Sequence, residues 1–132
     1  MRKTRHALGL FALAGIGGLG VDTLVCYAGL ALGLHFSLAR LISFLCAVYF
    51  TWQVNRRWTF AADTVPPASW MEWWRYLGAM LGGGAVNYLV SAVAVHFLPA
   101  WPLTPLLAVA AGSLAGMSLN FISARLLVFK RP

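Results

Sequence analysis

The chain has 132 residues, 61% of them hydrophobic and only 10% charged, with a formal net charge of +7 at pH 7 and a mean hydropathy of +0.77. A water-soluble domain of this size carries roughly a quarter charged residues, so the composition excludes one, and lipid has to solvate most of the outside. Four runs of about 20 apolar residues, the length that crosses a bilayer, account for nearly all of residues 1–132, which are read as a single membrane domain. The first run spans about Leu8 to Leu34 and carries Gly9, Gly15, Gly17, Gly18, Gly20, Gly29 and Gly33. Small residues let helix backbones approach closely in lipid, and Gly29 and Gly33 have the spacing of a packing face. The basic start, Met1 to His6, followed by apolar residues imitates a secretory signal. The apolar run is too long for one, so no cleavage is expected.

The turn His35-Phe36-Ser37 is very short, which makes the second run, about Leu38 to Trp58, an antiparallel neighbour of the first. Ala61 to Trp74 reads as a loop, broken by Pro66-Pro67 and holding the acids Asp63 and Glu72. Within it, Ser69 to Arg75 is expected to form a short interfacial helix, with Trp70, Trp73 and Trp74 in the headgroup zone. Stacking of those rings on a sugar is the alternative. The third run covers about Tyr76 to Leu98, with Gly78, Gly82, Gly83 and Gly84 repeating the small-residue face. A rigid apolar link, Pro99 to Pro105, leads to the fourth run, about Leu106 to Phe129, where Gly112 and Gly116 again lie one turn apart.

The second half is a rough copy of the first. Arg56-Arg57-Trp58-Thr59-Phe60 closes the second run and Arg125-Leu126-Leu127-Val128-Phe129 the fourth, with Arg and Phe at the same spacing. Gly17-Gly18 through Asp22 aligns with Gly82-Gly83 through Asn87. The expected fold is therefore an all-α integral membrane protein of four transmembrane helices, built as two two-helix repeats of parallel topology about a pseudo-twofold axis along the membrane normal.

Positive charge gathers at Arg2, Lys3, Arg5, Arg56, Arg57, Arg75, Arg125, Lys130 and Arg131, with only Arg40 near the opposite side. The positive-inside rule then places both termini in the cytoplasm. Anionic lipid headgroups account for these charges, which argues against a nucleic-acid partner. Cys26 and Cys46 lack metal-ligand spacing and read as small buried apolar residues. His6, His35 and His96 are scattered, and no Ser-His-Asp, paired-carboxylate, metal-ligand or nucleotide-cradling constellation is present. No enzyme, cofactor or metal is expected.

The residues with functional potential are few. Asp22 is the only acid inside a run, near the midplane, and is read either as a proton-coupling or sugar-contacting group or as a packing residue bonded to a neighbour. Asn87 is its uncharged repeat partner. Arg56 and Arg125, with Arg57 alongside, could grip phosphate oxygens by their planar forks, or simply snorkel to the interface. The amides of Asn55 and Asn120 nearby favour the grip. Arg40 could receive a phosphate after transfer or pair with Asp22, although Asp22 lying several residues deeper argues against direct pairing.

Taken together, the glycine-rich first run ending in Val21-Asp22, the Asn55-Arg56-Arg57-Trp58-Thr59-Phe60 close and the Asn120…Arg125…Phe129 close resemble the GtrA-like family of small four-span membrane proteins, over nearly the whole chain. One departure is Thr51, where such families often place an asparagine that Asn120 supplies in the fourth run. The resemblance implies a bacterial cytoplasmic membrane protein of cell-surface polysaccharide synthesis, which moves a polyprenyl-phosphate-linked sugar across the membrane or assists a glycosyltransferase. Its rivals are a proton-coupled exporter of small multidrug type, using Asp22, and a scaffold for a glycosyltransferase contacting Trp70 to Trp74. Four short spans enclose little volume, so a homo-oligomer is expected.

Overall fold

The computed structural model describes residues 2–64 and 67–129, without the side chain of Arg2. Pro66 of the loop, and Lys130 and Arg131 of the basic set, lie outside the described residues. Every regular element among the described residues is helical: α1 (Arg2–Ala31), α2 (Phe36–Val54), α3 (Trp70–Phe97) and α4 (Thr104–Ser123), with short π-helical turns after α2 and α4. Four helices are long and apolar enough to cross a membrane. A lipid-exposed segment has to satisfy its backbone polar groups internally, and a helix does so. The all-α, four-span expectation holds.

The helices form two compact units, each an antiparallel hairpin. In the first, α1 packs on α2. The turn between them is a Schellman cap: Leu34 N–H donates to Gly29 O (3.0 Å) and Gly33 N–H to Leu30 O (3.0 Å). Gly33 has φ +87°, a left-handed conformation that suits glycine. This corrects the sequence reading of a Gly29/Gly33 packing face. Gly29 does pack, where an added Cβ would lie 3.1 Å from Ala39 Cβ, but Gly33 makes the turn, and a Cβ there would meet nothing within 4 Å. The helix therefore stops at Ala31 rather than Leu34. Phe11, Ala14, Cys26, Ala39, Val48, Trp52 and Phe60 fill the interior. Cys46, read as buried, is exposed.

In the second unit, α3 packs on α4. Ser69 caps α3 by accepting from Glu72 N–H at 3.1 Å. The helix then runs unbroken to Phe97, so the expected separate interfacial helix is the first turns of α3. Trp73 and Tyr76 lie three positions apart, and both turn into the hairpin and are buried. Of the three tryptophans in this stretch, only Trp70 and Trp74 are exposed. Thr104 starts α4 with Pro105 in its first turn, where the missing N–H costs nothing, and its hydroxyl donates to Pro99 O at 2.6 Å.

Contact between α3 and α4 is closest at glycine. A Cβ on Gly112 would collide with Asn87 O and the Ser91 hydroxyl, and one on Gly116 would lie 2.7 Å from Gly83 O. Ser91 Oγ donates across the pair to Ala108 O at 3.0 Å. The expected glycine face on α3 is narrower than the sequence suggested: a Cβ on Gly78, Gly82 or Gly84 would meet nothing within 4 Å, and only Gly83 packs.

Candidate functional site

Each hairpin ends in the same backbone device. After α2, residues Asn55–Thr59 widen into a π turn, closed by Phe60 N–H donating to Asn55 O at 2.8 Å. After α4, residues Ala124–Val128 do the same, closed by Phe129 N–H donating to Ala124 O at 2.9 Å. Single π turns are rare and recur at functional sites. The reason here is an anchor. Phe60 and Phe129 are each 2% exposed, and each meets a ring of the antiparallel helix, Phe60 with Phe11 at 6.2 Å and Phe129 with Tyr76 at 6.0 Å. Widening the last turn swings the phenylalanine into the hairpin. The residues just before it, including the arginines, then lie at the helix end.

Arg56 is half-buried on the first turn, whereas Arg57 is exposed, as is Arg125 on the second turn. The two arginines hold equivalent backbone positions, but their surroundings differ because the amides differ. Asn55 is 1% exposed and its Oδ1 accepts from the Thr59 hydroxyl at 2.7 Å. The corresponding pair in the other hairpin is Ala124 and Val128, both apolar and buried. That hairpin carries its amide four residues earlier, at Asn120, where the first hairpin has Thr51. Thr51 Oγ1 donates to its own helix at Val48 O, 3.0 Å, and its methyl faces Gly18. Asn120 points into the equivalent notch at Gly83, and its Oδ1 is buried with no hydrogen-bond partner. The space that a Gly83 Cβ would take is filled by the Asn120 amide.

That arrangement predicts coupling. Gly83→Ala should destabilise the second hairpin by about 1–3 kcal/mol through overpacking against Asn120. Gly83→Ala combined with Asn120→Ala should recover part of the loss, read as the thermal midpoint of the purified protein in detergent.

The structure overturns one sequence expectation. Arg40 Nη1 donates to Asp22 Oδ1 at 2.8 Å, an ion pair between α2 and α1. The depth difference is real: Asp22 lies nine residues before the end of α1 and Arg40 four after the start of α2, about 13 Å and 6 Å at 1.5 Å per residue. The long arginine side chain spans the remainder. An isolated charge at such depth costs about 2.5–3.5 kcal/mol on insertion scales, and pairing offsets it. Asn87, at Asp22's place in the other hairpin, accepts from Ser91 Oγ at 3.4 Å and packs over Gly112 and Gly116. No group of three or more metal-ligating side chains occurs among the described residues.

Sequence reasoning missed three features: the π turns, the Gly18 and Gly83 notches, and Ser43, fully buried with its hydroxyl donating to Arg40 O at 3.0 Å. The Arg-to-Phe spacing hinted at the first. The 65-residue offset between Gly18 and Gly83, beside the 69-residue offset between Thr51 and Asn120, could have exposed the second.

The fold and its duplicated helix ends define a multi-pass membrane protein made of two like hairpins. A family model described as "GtrA/DPMS, transmembrane domain" matches residues 10–129, and the chain belongs to that family. No curated protein matches it in sequence. It is a membrane protein of a family tied to polyprenyl-phosphate sugars.

Proposed function

We propose that this protein moves a polyprenyl-phosphate-linked sugar between the leaflets of a bacterial cytoplasmic membrane for cell-surface glycan synthesis. In this reading both termini and both π turns face the cytoplasm, as the distribution of Lys3, Arg5, Arg56, Arg57, Arg75 and Arg125 favours. The observation that carries it is the repeated π turn, which sets one arginine at the same place in each hairpin over a buried phenylalanine. A guanidinium fork there suits a lipid phosphate at the inner leaflet. The prenyl tail stays in lipid, and the protein acts as a carrier, not an enzyme, in a homo-oligomer large enough to pass a sugar.

The Asp22–Arg40 pair weakens the exporter reading. A carboxylate already matched by a guanidinium offers a cationic substrate no net charge. The test is reconstitution into liposomes with a fluorescent sugar on a short polyprenyl phosphate. Equilibration between leaflets, measured by quenching from outside, is the expected result. Retention of the probe in one leaflet, together with co-purification of a glycosyltransferase, would place the protein as that enzyme's scaffold instead.

A further inference from the structure

The first hairpin carries guanidinium groups at both of its ends on one helical run. Arg40 stands near the Gly33 turn and Arg56 on the π turn, 16 residues further on, about 24 Å along the axis at 1.5 Å per residue. The hydrocarbon layer is about 30 Å thick. The same phosphate-binding chemistry is thus available near each membrane face within one hairpin.

What distinguishes Arg40 is its partner. Nη1 bonds to Asp22, through a single oxygen, at 2.8 Å, and the Cys26 sulfur is a lesser partner of the same guanidinium. A guanidinium has five N–H donors, so this pairing neutralises the charge and occupies one corner of the fork. The Arg40 side chain keeps 46% of its surface accessible against 18% for Asp22. The pair is also not needed to close a hairpin of this kind. The second hairpin has Asn87 and Val109 at the corresponding positions and still packs α3 on α4.

We infer that Arg40 is a far-side phosphate site for the transported lipid, and that Asp22 keeps its hold weak. The inference rests on the carrier reading above. A bare arginine at this depth would bind a phosphate strongly and release it slowly, whereas transport needs binding loose enough to let go. Asp22 supplies that looseness by cancelling the net attraction, while the N–H groups that neither Asp22 nor Cys26 engages orient the phosphate.

The test measures binding of dodecyl phosphate to the full chain in dodecyl maltoside by titration calorimetry, in the native sequence and in an Arg56→Gln/Arg125→Gln background. Asp22→Asn is expected to tighten binding about tenfold in both and to slow leaflet exchange in liposomes. Adding Arg40→Gln is expected to abolish the gain. Persistence of the gain in the second background separates this site from the π-turn arginines, so the two ideas fail independently. Inorganic phosphate, titrated in parallel, is expected to show no gain. The inference is overturned if Asp22→Asn binds no tighter, if the gain survives Arg40→Gln, or if inorganic phosphate gains equally, which would assign the site to a soluble anion. Should Asp22→Asn fold poorly, Asp22→Asn/Arg40→Gln restores a neutral hydrogen-bonding pair. In the Arg56→Gln/Arg125→Gln background that variant is expected to lose dodecyl phosphate binding, and retained binding sinks the inference.

Discussion

Arg56→Ala and Arg125→Ala should each slow sugar-lipid transfer about ten- to a hundredfold while the protein still inserts and folds. A hydrogen bond to a charged group contributes about 1.5–3 kcal/mol, and that loss at the phosphate sets the range. Both side chains sit on a turn whose shape is held by the backbone bonds Phe60 N–H to Asn55 O and Phe129 N–H to Ala124 O and by buried phenylalanines. Truncating an arginine beyond Cβ leaves those anchors in place. Lysine at either position keeps the charge but loses the fork, so its rate should fall between alanine and native. Arg56 is half-buried and Arg125 exposed, so Arg56→Ala should also lower the thermal midpoint more. Native transfer rates in both alanine variants, measured in liposomes at matched protein density, would remove the phosphate grip.

Gly112→Leu and Gly116→Leu should prevent the second hairpin from forming a stable fold, costing about 3 kcal/mol or more, the upper end of overpacking penalties. The obstacles are not flexible side-chain ends alone: a Cβ on Gly112 meets Asn87 O, and one on Gly116 lies 2.7 Å from Gly83 O. Backbone can yield only by separating α3 from α4, which would also break the Ser91 Oγ to Ala108 O bond. Gly78→Leu and Gly84→Leu are the controls, since a Cβ on either would meet nothing within 4 Å, and both should express and melt like the native protein. The comparison is made by monodisperse yield and thermal midpoint in detergent. Equal behaviour of all four variants would mean that glycine content, not glycine contact, matters here.

Much of the candidate site was legible in the primary structure, because chemistry-bearing residues are scarce in an apolar chain. Asp22, Arg40, Arg56 and Arg125 stand out against spans that otherwise need no charge. The glycines were harder. In a helix hydrophobic all round, no polar face marks the outside, so Gly83 and Gly84 look alike although only the first faces a partner. Trp73 and Trp74 posed the same problem in the aromatic stretch, and the helical phase, visible only once α3 is seen to begin at Trp70, separates them.

Composition and the two matching Arg-to-Phe closes were enough by themselves to determine a four-span helical membrane protein with duplicated halves, because apolar length and repeat spacing are properties of the chain alone. Three things needed tertiary structure: the π turns that present Arg56 and Arg125, the notch in which Asn120 meets Gly83, and the bond from Arg40 to Asp22. Each depends on how far a backbone widens or a side chain reaches across to a packed helix. Those distances arise only when two segments remote in sequence are brought into contact.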